Sequence, residues 1–430
     1  MAARNIFYAQ SGGVTAVINN TAAAVIKTAR EYPLQFGKVI AGKNGITGAL
    51  QEELIDTSLE SNEAIDALQY IPGGAFGSCR YKLKDFNEDT TQYDRLFEVF
   101  AAHHIGYFFY NGGNDSQDTT HKIAQYSKKI GFPLQCIGLP KTIDNDLALT
   151  DNCPGFGSVA KYIAASIREC AFDVASMCAT STKVFIMEVM GRHAGWLAAA
   201  AGLAAEQEGD APHIILFPEI SFAPEKFYQK VHQTVNQYGY CVIVVSEGLR
   251  NEAGHFLADA GIDDAFGHRQ LGGVALNIAD LLSRLHGYKC HWAVLSYLQR
   301  SARHLASKVD LQQSYAIGKT AIEMAIAGKT GLMANIVRES EQPYRWSIGE
   351  APLNKVANKE KKLPLDYISA DGFSITAKAR EYLLPLIQGE DYPNFHHGMP
   401  HYIKLKNTLL AKKLPAWDLQ SKPLAKIVQI

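Results

Sequence analysis

The chain has 430 residues, 47% hydrophobic and 20% charged, which is the composition of a folded protein with sizeable cores; at about 150 residues per domain, roughly two to three domains fit this length. With 42 basic and 43 acidic side chains the net charge is −1, which excludes a global basic field of the kind that recruits nucleic acid, so any anion site has to be local. Seven cysteines, an odd number with no Cys-x-x-Cys pair, fit the reduced thiols of a cytoplasmic protein better than a disulfide framework. The start enters a strand pattern without a signal-peptide profile, and the longest Ala-rich run, 196–205, is too short to span a bilayer. The expectation is a cytoplasmic protein with no membrane and no nucleic-acid partner.

In chain order, Ile6-Phe7-Tyr8-Ala9 predicts a strand, and Ser11-Gly12-Gly13 leads from it into a helical pattern over 14–30. Tyr107-Phe108-Phe109-Tyr110 repeats the theme, passing through Asn111-Gly112-Gly113-Asn114-Asp115 into a helix over 116–129. Gln135-Cys136-Ile137-Gly138-Leu139 reads as a buried strand that ends in Pro140-Lys141-Thr142-Ile143-Asp144-Asn145-Asp146. Further strands are predicted over 184–190, 214–217, 241–245 and 293–297. This β-then-α alternation points to an α/β fold of parallel sheets with helices on both faces. The Asp-rich turns and Cys153-Pro154-Gly155 over 140–157 suggest a change of domain there. The lysine-rich patch Lys355 to Lys362 reads as a solvated face, the usual meaning of a charge run.

The stretch 140–146 carries the most chemistry. Ligands of open α/β sheets bind at the carboxyl ends of strands. A carboxylate placed there accepts a proton from a hydroxyl, and a nearby ammonium holds a phosphate. The same residue types also build plain Asx-rich turns. At Gly12-Gly13 and Gly112-Gly113, glycine lets backbone N–H groups approach an anion, and the following helix N-terminus adds positive charge. Neither junction is a Walker A loop, and Gly328-Lys329-Thr330 lacks that motif's first glycine, with Glu323 in its place. Gly155-x-Gly157-x-x-Ala160 matches a dinucleotide pattern but follows no strand, which speaks against an oxidoreductase. Met190-Gly191-Arg192, Glu247-Gly248 and Tyr297-Leu298-Gln299-Arg300 stand at or near predicted strand ends, where arginine grips phosphate bidentately. His397 and His401 lie among Gly398 and Pro400, which suits a structural cluster better than a zinc site.

Taken in order, Gln10-Ser11-Gly12-Gly13, Gly73-Gly74 through Arg80, Gly112 to Ser116, Pro140 to Asp146, Met190-Gly191-Arg192, Glu247-Gly248 and Tyr297-x-x-Arg300 resemble the 6-phosphofructokinase family. The resemblance implies two doubly wound parallel-sheet domains with an active-site cleft between them. It places a phosphoryl-donor domain at 1–148, completed by part of 300–350, a sugar-phosphate domain at 149–299 and a C-terminal extension at 350–430. ATP-using members have glycine where this chain has Asp115 and Lys141, so the resemblance implies pyrophosphate as the donor and fructose 6-phosphate as the acceptor. The alternatives are an ATP-dependent member and a non-catalytic regulatory subunit of the same fold. Carried over position by position, Asp144, Lys141, Asp146 and Arg80 are catalytic. Gly12, Gly13, Gly113, Asp115 and Lys141 hold the donor and set its identity. Thr142, Asp144, Lys183, Met190, Gly191, Arg192, Glu247, Tyr297 and Arg300 bind the sugar phosphate, with Lys183 reaching in from a neighbouring copy, which implies a homodimer or homotetramer. Asn114, Asp115 and Asp146 are the implied Mg2+ ligands. The chain departs from the family pattern at Asn114, where relatives carry aspartate, at Ser301-Ala302 in place of Gly-Gly, and at His291 in place of arginine.

Overall fold

The long apolar runs of the sequence become strands buried on both faces, as parallel strands between helical layers are. The computed structural model describes residues 3–263 and 269–418. Its strands, in chain order, are β1 (Arg4–Ser11), β2 (Phe36–Gly42), β3 (Leu54–Asp56), β4 (Ser78–Cys79), β5 (Ile105–Gly112), β6 (Gln135–Pro140), β7 (Val184–Val189), β8 (Ile214–Leu216), β9 (Cys241–Ser246), β10 (Asp259–Asp263), β11 (Arg269–Leu271), β12 (Cys290–Val294), β13 (Leu332–Ser340) and β14 (Arg345–Pro352). One sheet runs β14-β13-β6-β5-β1-β2-β3, with β4 paired to the end of β1. Its inner pairings are parallel, and antiparallel pairing is confined to the outer β13–β14 and β2–β3 pairs. A second sheet, β12-β7-β9-β8, is parallel throughout. Apolar cores cover both faces of each sheet. On the first sheet, helices Ile18–Arg30 and Lys308–Ile326 pack on one face, and Thr91–Ala102 and Asn114–Ile130 on the other. The fold is the doubly wound α/β arrangement that the alternation predicts, and its parallel strands aim their carboxyl ends at a shared cleft.

Three local expectations shift. The first helix begins at Ile18, because Val14 to Val17 are spent on the turn beside the glycines. The strand expected over 293–297 is instead Cys290–Val294, paired in register with Val184–Glu188. Ser296, at φ 41°, breaks the extended run, and Tyr297 and Arg300 then sit on the short helix Ser296–Ser301 rather than on a strand end. The patch 355–362 is not simply a solvated face: Val356 is buried, and Lys361 turns its ammonium inward onto backbone oxygens of the 150–151 loop.

The segment beyond 353 straps both halves together. Tyr382, Leu383 and Leu386 complete the core beside helix Phe156–Met177, while Thr408 and Leu410 exchange backbone hydrogen bonds with Asp56 and Leu54 at the far edge of the first sheet. Gly155 and Gly157, the dinucleotide lookalike, serve packing: a Cβ on Gly155 would lie 2.4 Å from Thr15, and one on Gly157 would lie 2.5 Å from the Leu386 carbonyl. His401 stacks on His396 with ring centroids 4.4 Å apart in the hairpin that follows Tyr392. No helix among the described residues is long and apolar enough to cross a membrane.

Candidate active site

The cleft between the sheets has a volume of about 590 Å³. Its donor side is built from β1, β5 and β6. Gly12 takes φ 72°, a conformation that costs glycine little and side chains much. Its N–H is tied to the Cys79 carbonyl at 2.9 Å, and its carbonyl accepts the Ser78 hydroxyl at 2.7 Å. These bonds fix a loop whose next residue, Gly13, lies under the Arg300 guanidinium: a Cβ there would lie 2.7 Å from an Arg300 nitrogen and would push that side chain aside. Lys141, directly after β6, is buried and donates to the Gly13 carbonyl. Burial, and then repulsion from Arg300 and Arg80, push its ammonium down to about 7, against the pull of Asp144 and Asp146. Three cations therefore converge on a glycine loop, a poor arrangement in isolation and a good one for a multiply charged anion. Asp115 opens helix Asn114–Ile130, where a carboxylate suits the helix dipole, and pairs with Lys82 at 3.4 Å.

The catalytic turn follows Lys141. The Thr142 hydroxyl accepts the Asp144 N–H at 3.1 Å, and Asn145, buried, adopts φ 55°. This left-handed residue lets the carboxylates on either side of it both line the cleft. Burial, then Glu247, raises Asp144 to about 6, with Lys141, Arg192 and Arg80 opposing; burial, then Asp144, raises Asp146 to about 7. Oδ1 of Asp146 is buried without a hydrogen-bond partner.

The opposite wall of the cleft comes from the second sheet. Met190 and Arg192 follow β7, and Glu247 follows β9. The Ser246 hydroxyl donates to the Gly191 carbonyl at 2.6 Å, which locks the two loops together. Burial raises Glu247 to about 7, with Arg192 opposing, and the Arg192 Nε is buried without a hydrogen-bond partner. Arg300 reaches the cleft with its guanidinium 3.7 Å above the Tyr297 ring.

Of the residues singled out in the sequence, Gly12, Gly13, Arg80, Gly113, Asn114, Asp115, Lys141, Thr142, Asp144, Asp146, Met190, Arg192, Glu247 and Arg300 line one cleft. Gly191 and Tyr297 stand behind it, as loop hinge and as platform for Arg300. Lys183 does not join them: it precedes β7 at the end opposite Arg192 and donates to the Cys178 carbonyl at 2.5 Å. His291 is likewise outside the cleft, exposed on the edge strand β12. Asn114 touches the cleft, but its carboxamide is engaged at both ends: it donates to the Lys359 carbonyl at 2.7 Å and accepts the Asn358 N–H at 2.7 Å. Sequence reasoning missed Lys82, His193, Asn358 and Glu360, which also line the cleft. Lys82 was findable as a second cation two residues beyond Arg80. Asn358 and Glu360 arrive from more than 200 positions away, with no local signal.

A glycine loop carrying three cations, facing Arg192 and Glu247 across one cleft with two carboxylates at the junction, suits phosphoryl transfer. The sequence profile named Phosphofructokinase matches residues 5–325. The chain belongs to the phosphofructokinase family. It is 60% identical to the pyrophosphate–fructose 6-phosphate 1-phosphotransferase of Methylococcus capsulatus, over 97% of this chain and 99% of that one. It is 59% identical to the enzyme of the same name from Halomonas elongata, over 97% and 100%. The crystal structure of the pyrophosphate-dependent phosphofructokinase from Marinobacter aquaeolei superposes with a TM-score of 0.89 at 58% identity, covering 97% of this chain and all of that one. Enzymes of this family use a divalent metal ion. The site fits one. Among the described residues no cluster of three or more ligating side chains forms a protein cage, while Asp146 offers an unpartnered oxygen. That is the donor set of a cation shared between one or two carboxylates and substrate phosphates.

Proposed function

We propose that this phosphofructokinase transfers a phosphoryl group reversibly from pyrophosphate to the C1 hydroxyl of fructose 6-phosphate, giving fructose 1,6-bisphosphate and phosphate. The observation that carries the donor assignment is the placement of Asp115 and Lys141 at the mouths of β5 and β6, in the cradle formed with Gly12 and Gly13. An acidic side chain there opposes the further phosphate of a nucleotide, and a buried lysine compensates for a donor with no adenosine to anchor it.

Asp144 accepts the C1 hydroxyl proton as that oxygen attacks phosphorus; burial raises its proton affinity, as suits a base, while Lys141, Arg192 and Arg80 favour its ionised form. Lys141, Arg80 and the Gly13 N–H hold the charge that builds on the leaving phosphate, Gly12 shapes the loop with its own N–H tied to the Cys79 carbonyl, and Lys82 adds a cation at the rim. Gly113 leaves the donor's path open. Thr142 orients the turn. Met190, Arg192, Glu247 and Arg300 grip the sugar phosphate, with Tyr297 stacked beneath Arg300 and Gly191 shaping the loop. Mg2+ is the assigned metal: Asp146 and Asp115 would hold it, and it would neutralise the phosphates during transfer. Asn114 leaves that set, because its carboxamide clasps the C-terminal segment.

A homo-oligomer completes the reading, as a homodimer or homotetramer. The edge strand β12 and the helix after it leave Trp292, Val294, Tyr297 and Leu298 exposed, an apolar strip suited to a second copy, and Lys183 belongs to the same half of the molecule. The setting is cytoplasmic, in keeping with seven free cysteines. The test is a product assay with magnesium, pyrophosphate and fructose 6-phosphate. Formation of fructose 1,6-bisphosphate and phosphate is expected; no product from pyrophosphate overturns the reading.

A further inference from the structure

The two cleft carboxylates, Asp144 and Asp146, flank a residue in a costly conformation. A left-handed conformation is disfavoured for most residues other than glycine, less so for asparagine, and is held in one place by the contacts around it. The restraints on Asn145 come largely from the C-terminal segment. Its amide nitrogen donates to the Tyr382 hydroxyl at 3.1 Å, and its Oδ1 accepts the Cys153 N–H at 3.0 Å and the Lys361 ammonium at 3.3 Å. The Lys361 ammonium donates also to the carbonyls of Thr150, at 3.1 Å, and Asp151, at 2.5 Å. Three acceptors surround it, and only the protonated amine has three hydrogens to give. The face of Trp196 lies 5.3 Å from the ammonium, a further contact that favours the cation. The backbone of the same residue is in use as well: the Lys361 N–H donates to the Asp146 carbonyl at 2.7 Å, and its carbonyl accepts the Trp196 indole N–H at 3.0 Å. Lys361 therefore holds the catalytic turn at Asn145, at Asp146 and at the outgoing loop.

We infer that Lys361, from the C-terminal extension, is a positioning residue for phosphoryl transfer: it fixes the Asp144–Asn145–Asp146 turn through Asn145 and the Asp146 carbonyl without touching substrate. The inference rests on the assignment of Asp144 as base. A turn that relaxes by even a fraction of an ångström loses attack geometry without losing the distant arginines that bind the sugar. Rate and binding therefore separate.

The experiment compares the full-length enzyme with Lys361→Met, which keeps length and removes every side-chain donor while leaving the main-chain N–H on the Asp146 carbonyl, and Lys361→Gln, which keeps two side-chain donors without charge. Steady-state kinetics with pyrophosphate and fructose 6-phosphate are measured beside thermal melting. The expected result is a kcat reduced 10- to 100-fold in the Met variant and less in the Gln variant, with KM for both substrates within threefold of the parent. A kcat within twofold of the parent overturns the inference. So does a loss of activity that appears wholly in KM, and so does failure of both variants to fold, which assigns Lys361 to stability alone. The parent enzyme in the same assay reports separately on the reading beneath: if Asp144→Asn retains the parent's kcat, the base assignment falls, whatever Lys361 does.

Discussion

The two sheets present their carboxyl ends to one cleft, yet they line it in different ways. The first sheet uses backbone together with cations: Gly12, Gly13 and Gly113 line the pocket, with buried Lys141 beneath them and Arg80 and Lys82 beside them. The second uses side chains: Arg192 and Glu247 project from adjacent strands β7 and β9, and Arg300 leans in from a short helix. A small, highly charged donor has no hydroxyls or ring to read, so close backbone approach and cationic charge are the only handles on it. A sugar phosphate offers hydroxyls, which a carboxylate accepts from, and a monoester, which arginine grips. The junction between these two chemistries is the 140–146 stretch, which belongs by chain to the first sheet and serves both.

That division is open to attack by mutation. The largest effect is expected at the junction. Asp144→Asn keeps shape and removes the base, and kcat should fall about 10³-fold, within the usual range for general-base loss, with sugar KM nearly unchanged. Next, Lys141→Met should lower kcat/KM for pyrophosphate by about 10²-fold, the scale of losing one charge-stabilising group, and leave sugar affinity in place. A loss confined to fructose 6-phosphate KM would erase the distinction between the two sides. Arg192→Ala is the mirror test. Fructose 6-phosphate KM should rise roughly 10-fold or more, as for a lost charged hydrogen bond, with pyrophosphate KM constant.

The pH dependence is a gentler probe of the same contrast. Asp144 must be ionised, and burial raises it together with Asp146, so the acid limb of kcat/KM should lie above the ordinary carboxylate range; below that limb the protonated fraction grows and activity falls. Lys141 must be protonated, and its lowered pKa puts the alkaline limb of the free enzyme near 7. Bound pyrophosphate brings negative charge beside the ammonium and raises its pKa, so the alkaline limb of kcat should lie above that of kcat/KM. Coincident limbs would remove Lys141 from the donor subsite.

Much of this was legible in the sequence, for a physical reason. Parallel strands buried on both faces leave unbroken apolar runs, and the loops after them gather the glycines and charged residues that the chemistry needs, so β1, β5 and β6 announced both the sheet and its site. The strand near 293 was misplaced because the apolar run extends through Tyr297 and Leu298, which are exposed on a helix rather than paired in the sheet. The part supplied by the C-terminal extension was not legible at all. Asn358, Glu360 and Lys361 sit in a charge run whose composition is that of an exposed face, and nothing local reveals that one ammonium turns inward onto a loop some 210 residues earlier. Asn114 shows the same limit. Its sequence position suggests a metal ligand, and nothing local reveals its two hydrogen bonds to residues 358 and 359.

The central claim is that Asp115 and Lys141 decide which donor enters the cradle. The most direct measurement is donor choice in the double variant Asp115→Gly, Lys141→Gly beside the parent, with magnesium and fructose 6-phosphate. The account predicts turnover of pyrophosphate and none of ATP in the parent, and in the variant a loss of pyrophosphate turnover with measurable turnover of ATP. A parent that already turns over ATP readily, or a folded variant that keeps the parent's donor choice unchanged, would contradict it.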